Sequence, residues 1–201
     1  MDCQLDHLVI AARTLGEGIG QVSRRLGVEP VAGGRHAFMG THNALLSLGP
    51  LCFLEVIAVD PDAPAPDCPR WFGLDDFQGP PRLVHWVART GKIDRFCPAD
   101  HRVVAMARGE FRWRFALALD GRLPLNGAVP ALIQWQDGSH PCNRLPDHGL
   151  RLRRLSVAHA DPHRLRTELA RLGLAVTVAI AGNGPVLTAD IQRDGALVTL
   201  R

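Results

Sequence analysis

Over residues 5–10, which are mostly apolar, Leu5, His7 and Val9 alternate with Asp6, Leu8 and Ile10. That two-residue period predicts a strand, here with one face covered and the other nearly so. The period then changes. Ile19, Val22 and Leu26 recur at helical spacing, Thr14 and Glu17 stand at capping-box spacing, and Gly27 sits where a helix closes. A helix over 15–26 follows. Beyond it, His36–Phe38, Asn43–Leu48 and Cys52–Val59 read as strands, the last two joined by a tight Gly49-Pro50 turn.

The pattern recurs. LDHLVIAART at residues 5–14 returns as LVHWVART at 83–90, with His85 in the place of His7, and more faintly as LRRLSVAHAD at 152–161, with Arg154 there. A short helix near 93–100, broken by Pro98, follows the second copy. After it come strands Val103–Ala107, Phe111–Leu119 and Ala131–Trp135. The third copy leads into a helix with Asp161 as N-cap, Pro162 at its first position, Leu165, Leu169 and Leu172 as its stripe and Gly173 at its end. Strands Val176–Ile180, Val186–Ile191 and Ala196–Leu200 complete it, with an Asp194-Gly195 hairpin turn. The expected class is α+β: βαβββ modules at about 4–60, 82–136 and 150–201, forming curled mixed sheets around a cleft with the helices outside. All three belong to a single unit, linked by a Pro-rich stretch at 60–70 and a polar loop at 136–149.

Composition narrows the function. The 201 residues carry a net charge of +3 spread along the chain, too weak for a nucleic-acid footprint. No apolar run reaches the ~18 residues of a membrane span, and MDCQLDHLV lacks the basic start of a signal peptide. A soluble, cytoplasmic protein is expected. Lys92 is the only lysine and tyrosine is absent, a bias that suits a GC-rich bacterial genome. Five cysteines, an odd number with no CxxC pair, argue against both a zinc knuckle and a disulfide framework.

Three stretches, LDHLVIAA, GGRHAFMGTHNALLSLG and FLEVIAVDPDAPAP with RWFGLD, resemble the glyoxalase-like branch of the vicinal oxygen chelate superfamily. That superfamily also holds glyoxalase I, extradiol dioxygenases and bleomycin-resistance proteins. The resemblance implies paired βαβββ modules, each curling round a cleft, with metal ligands on first and last strands. Carried over, these are His7, His85 and Glu55, a set suited to Zn, Ni, Fe or Mn. Gln134 takes the matching place in the second module. An amide cannot accept a proton, so no substantial glyoxalase I activity is expected. Glu55 lies in an otherwise apolar run and must be paired, protonated or metal-bound if buried.

Around these, His36 or His42 is a candidate general base, His42 and Glu55 are the candidate catalytic residues, and His36, Thr41, Asn43, Arg70, Trp71, Gln134 and Arg154 are candidate substrate contacts. The expected function is a small-molecule enzyme of glyoxalase-like type using a divalent metal as Lewis acid. The alternative is a metal-free protein that sequesters a small molecule, as bleomycin-resistance proteins do. A homodimer is compatible with either.

Overall fold

The fold was obtained as a computed structural model, in which residues 2–174, 179–181 and 186–201 are described. Its elements are β1 (Cys3–Ala11), α1 (Leu15–Leu26), β2 (Val31–His36), β3 (Thr41–Ser47), β4 (Phe53–Val59), β5 (Arg82–Thr90), α2 (Ile93–Phe96), β6 (His101–Arg108), β7 (Phe111–Ala118), β8 (Ala131–Trp135), β9 (Arg151–Ala158), α3 (Pro162–Arg171), β10 (Ala179–Ala181), β11 (Leu187–Arg193) and β12 (Ala196–Leu200). The caps work as their residue types require. Thr14 accepts a bond from the Glu17 N–H at 3.2 Å, Gly27 closes α1 at φ 63°, and Asp161 accepts from the Arg164 N–H at 2.9 Å.

Eight strands form one curled mixed sheet in the order β2-β3-β4-β1-β5-β8-β7-β6. The two copies meet at its centre, where β1 runs antiparallel to β5. Within each copy the first strand pairs parallel with the last, β1 with β4 and β5 with β8. Leu8 faces Trp86 in the register, and His7 and His85 each precede that pair by one residue on their own strand. The two copies are therefore related by a local two-fold through Leu8 and Trp86.

The third copy keeps the element order but not the pairing. Its sheet runs β10-β9-β11-β12, with β9 parallel to the strand directly after its helix rather than to its last strand. It covers the second copy, whose own helix α2 has only four residues. Leu155, Val157, Leu165, Leu169, Ile191 and Leu200 join Leu8, Trp86, Ala88 and Leu132 in one buried core. The Leu152 N–H bonds the Leu48 carbonyl at 3.2 Å, and the Leu83 N–H bonds the Arg201 carbonyl at 3.0 Å. The Trp86 indole donates to the Ala128 carbonyl at 3.1 Å, so the largest core side chain is also satisfied.

The strand after α1 departs from the sequence pattern at both ends. The strand expected at His36–Phe38 begins at Val31 and ends at His36, because Gly33 and Gly34 lie inside it rather than in a turn. A Cβ on Gly33 would lie 2.2 Å from Asn43 Oδ1, and Gly34, at φ 136°, sits at a register shift between β2 and β3. In the strand expected at Val176–Ile180, residues 176–178 lie outside the described residues.

The face of the eight-stranded sheet away from α1 is the concave one. Val9, Ala11, Ile57, Val87, Met106, Trp113, Phe115 and Ile133 line it, and Trp71, Phe72 and Leu74 from the 60–81 connection pack onto them. Among the described residues, no helix is long and apolar enough to cross a membrane.

Candidate functional site

Strand parity decides which side chains reach the concave face. On β1 these are His7, Val9 and Ala11; on β4, Phe53, Glu55 and Ile57. Asp6 should point away, by alternation. A register shift between Leu5 and His7 breaks the alternation and brings both side chains together. Asp6 Oδ1 lies 2.6 Å from His7 Nδ1. Asp6 is fully buried and also accepts from Trp135 Nε1 and His140 Nε2, each at 3.0 Å. The Cys142 N–H donates to His140 Nδ1, which leaves the His140 proton on Nε2, facing Asp6. The sequence does not single out Asp6, and it marks His140, ahead of Pro141, only as a structural or cleft-rim residue. The Asp-His pair in LDH was visible, but the bulge that makes it a contact was not.

His7 Nε2 lies 3.5 Å from Glu55 Oε2, and Asn43 Nδ2 donates to the same carboxylate. Burial penalises the charged forms of all three groups. The neighbours outweigh it: Asp6 and Glu55 raise His7 well above the usual imidazole value, His7 holds Glu55 far below the carboxylate range, and His140 and His7 do the same for Asp6. The resting pair is imidazolium and carboxylate. Phe53 stacks on the His7 ring at 4.5 Å.

Beside this pair lies a neutral histidine. Burial drops His36 to a pKa of about 4. Its Nδ1 is 3.1 Å from Thr41 Oγ1, and its Nε2 takes a bond from Arg108 Nη1 at 3.1 Å. Arg108 is only 9% exposed and makes no ion pair among the described residues, and its Nε is buried without a partner. It too escaped sequence reading. The signal is present: Arg108 shares its parity on β6 with Val104 and Met106, both of which pack on the aromatic cluster of the concave face.

His85 faces the same concave surface but does not join His7. The Ala131 N–H donates to its Nε2 at 3.1 Å, its Nδ1 is buried without a partner, and burial lowers its pKa to about 3. Trp71 and Phe72 stand in between, stacked on each other at 5.4 Å. Trp71 lies 5.0 Å from the His36 ring and Phe72 lies 5.5 Å from His85. Phe72 adopts φ 58°, a left-handed backbone that costs a bulky residue about 1–2 kcal/mol. Two small spaces remain, about 30 Å³ beside His7 and Glu55 and about 20 Å³ beside His85.

The expected ligand trio is therefore not assembled. Among the described residues no group of three or more His, Cys, Asp or Glu side chains is placed to hold a metal ion. His7 and Glu55 supply two donor groups, the His85 nitrogen facing Ala131 is engaged, and the nearest further cationic group is a guanidinium. These residues do not fit a divalent metal.

Four other expectations need correction. Gln134 lies on the opposite face of β8 from Ile133 and Trp135, where its Oε1 accepts from the Ile93 N–H at 3.2 Å. Glu55 pairs with Val9, two residues past His7, and Ala131 pairs with Val87, two past His85, so Ala131 holds the place that corresponds to Glu55. His42 falls between Thr41 and Asn43 and so faces the other side of β3. Arg70 is committed to Asp75 at 2.6 Å and braces the turn that carries Trp71. Arg154 is exposed on β9, 3.9 Å from Asp190, away from the cleft.

Comparison with solved structures finds the same architecture elsewhere. A hypothetical protein from Staphylococcus aureus superposes with a TM-score of 0.62 at 13% identity, over 99% of this chain and 84% of that one. Methylmalonyl-CoA epimerase from Mycobacterium tuberculosis gives 0.43 at 20% identity, over 65% and 85%. Among curated proteins none matches. The family described as glyoxalase-like domain matches residues 5–173, and the chain belongs to that family.

Proposed function

We propose that the protein is a small-molecule enzyme of glyoxalase-like type that moves a proton on an oxygen-bearing substrate, with Glu55 as base and His7 as acid. The observation that carries this reading is the His7–Glu55 pair, buried at 3.5 Å on the floor of an aromatic-lined cleft. Both charged forms are present at neutral pH, so a base and an acid stand ready together. Asp6 keeps His7 charged from behind, and the Asn43 amide orients Glu55. The carboxylate takes the proton from a carbon beside a substrate carbonyl and becomes a carboxylic acid. The resulting enolate oxygen is stabilised by the His7 imidazolium, the acid of the pair, and by the Arg108 guanidinium beside it. Returning the proton to either carbon or face completes an isomerisation. No step needs a third ligand at His85.

The test is exchange of carbon-bound hydrogen with D₂O, followed by NMR across a set of 2-oxo and 2-hydroxy acids and aromatic ketones. One or more compounds should exchange with the wild type and lose roughly 10²- to 10⁴-fold in rate with Glu55→Gln, the range expected for removal of a general base. Unchanged exchange in Glu55→Gln would refute the assignment. The sequestration alternative is favoured by one observation, the aromatic lining of the cleft, and predicts binding without exchange.

A further inference from the structure

The side chains that fill the cleft show what it takes. Trp71 and Phe72 are not strand residues. They enter from the 60–81 connection on a backbone held left-handed at Phe72 and at Gly73, and their rings split one concave surface into two small spaces. One space holds His7, Glu55 and Arg108; the other holds His85. The rings meet mainly aromatic walls, with Phe115 5.3 Å from Trp71 and 6.1 Å from Phe72. Yet their polar surroundings are poorly satisfied. Among the described residues, Trp71 Nε1, His85 Nδ1 and Arg108 Nε are all buried without hydrogen-bond partners. Buried polar groups are seldom left in this state unless another species supplies the bonds. Arg108 is the strongest of these signs. A guanidinium nine-tenths buried with no ion pair among the described residues calls for an anion.

We infer that the ligand of this cleft is an aromatic oxyanion, whose rings replace Trp71 and Phe72 while its carboxylate or enolate oxygen meets Arg108. The inference rests on the reading of this cleft as the small-molecule site, and it names the substrate class. Trp71 and Phe72 are an internal stand-in for the ligand's rings. The ligand must displace them, so its apparent affinity is lowered by the fraction of molecules in which the wedge has withdrawn. Arg70, bound to Asp75, anchors the segment on which they swing.

The experiment uses the full chain with 2-naphthoate as probe and 2-naphthylmethanol as its uncharged counterpart, both measured by calorimetry. Wild type should bind 2-naphthoate, and Phe72→Ala should bind it roughly 10- to 100-fold more tightly because the burial to be undone is smaller. Arg108→Gln should weaken 2-naphthoate at least tenfold and leave 2-naphthylmethanol within a factor of about three. Should a variant fail to fold, the wild type alone decides through its indole N–H resonances: 2-naphthoate should shift the Trp71 signal most. Binding is read without turnover, so Glu55→Gln should still bind 2-naphthoate. Unchanged proton exchange in Glu55→Gln with 2-naphthoate binding retained would thus strike the catalytic reading and leave this inference standing. Absence of 2-naphthoate binding in both wild type and Phe72→Ala overturns it. So does equal affinity for the charged and uncharged probes.

Discussion

Replacing Asp6 with asparagine tests the electrostatic frame of the site. Asp6 is 0% exposed, with His7 Nδ1 at 2.6 Å, Trp135 Nε1 and His140 Nε2 at 3.0 Å, and Arg89 Nη1 at 3.7 Å. An asparagine offers one acceptor oxygen where three ring donors now converge. If that oxygen serves Trp135 and His140, the amide nitrogen opposes the His7 N–H, donor against donor. The imidazolium also loses one of the two carboxylates that hold its charge. Removing one partner of a buried pair typically costs about 3–5 kcal/mol. For a chain of this size each kcal/mol moves the midpoint by about 2–4 °C, so the loss should reach roughly 6–20 °C.

The pH dependence adds a second reading of the same substitution. His7 is raised from 6.5 to about 9, so its stabilisation is complete below pH 6.5 and is lost as pH rises through about 9. In that window the folded wild type holds one more proton than the unfolded chain. Its stability should fall with a slope of up to about 1.4 kcal/mol per pH unit. Glu55 and Asp6 act at the other end. Their folded values are depressed, so their contribution is present above the ordinary carboxylate range and is lost in acid, for Glu55 through about 2. Urea unfolding of wild type and Asp6→Asn between pH 6 and 9 measures both effects. The variant should be destabilised at neutral pH and show a flatter alkaline slope. A cost below about 1 kcal/mol together with an unchanged slope would refute the proposed frame.

Two further substitutions probe packing and parity. Gly18→Ala should destabilise although alanine is the better helix former by about 1 kcal/mol: its Cβ would lie 2.4 Å from Val56 Cγ1 and 2.9 Å from Ala12 Cβ, and overpacking of this kind typically costs about 1–3 kcal/mol, read as a lowered urea midpoint. Gln134→Ala should cost about 1 kcal/mol through the lost bond to the Ile93 N–H and leave ligand binding in the cleft unchanged; a large loss of binding would put its side chain back in the site.

Much of the sheet could be read from the chain because local pattern and pairing agree there. The His7 and His85 repeats, the 15–26 helix and the Ala131–Trp135 strand follow from periodicity and caps. The third copy shows the limit. Its element order is written in its periodicity, but which strand lies beside β9 is set by how the lobe covers the short α2, and no local signal carries that. The site divides along the same line. Glu55 stood out as one carboxylate in an apolar run, and Thr41, Asn43, His36 and Trp71 came from motifs. Gln134, three residues from the place that matches Glu55, and His42, between Thr41 and Asn43, both have the wrong strand parity, which sends a side chain to the opposite face. Asp6 was concealed by the opposite effect, a bulge that suspends parity.

The central claim is that His7 rests as an imidazolium between Asp6 and Glu55 on the floor of the cleft. Nitrogen-15 NMR of the imidazole side chains between pH 6 and 9, with His7 assigned by comparison with His7→Gln, measures this directly. Both His7 nitrogens should show imidazolium shifts at pH 7.5 and titrate only as the solution approaches pH 9. A neutral His7 at pH 7.5, titrating near the ordinary imidazole value of about 6.5, would contradict the account.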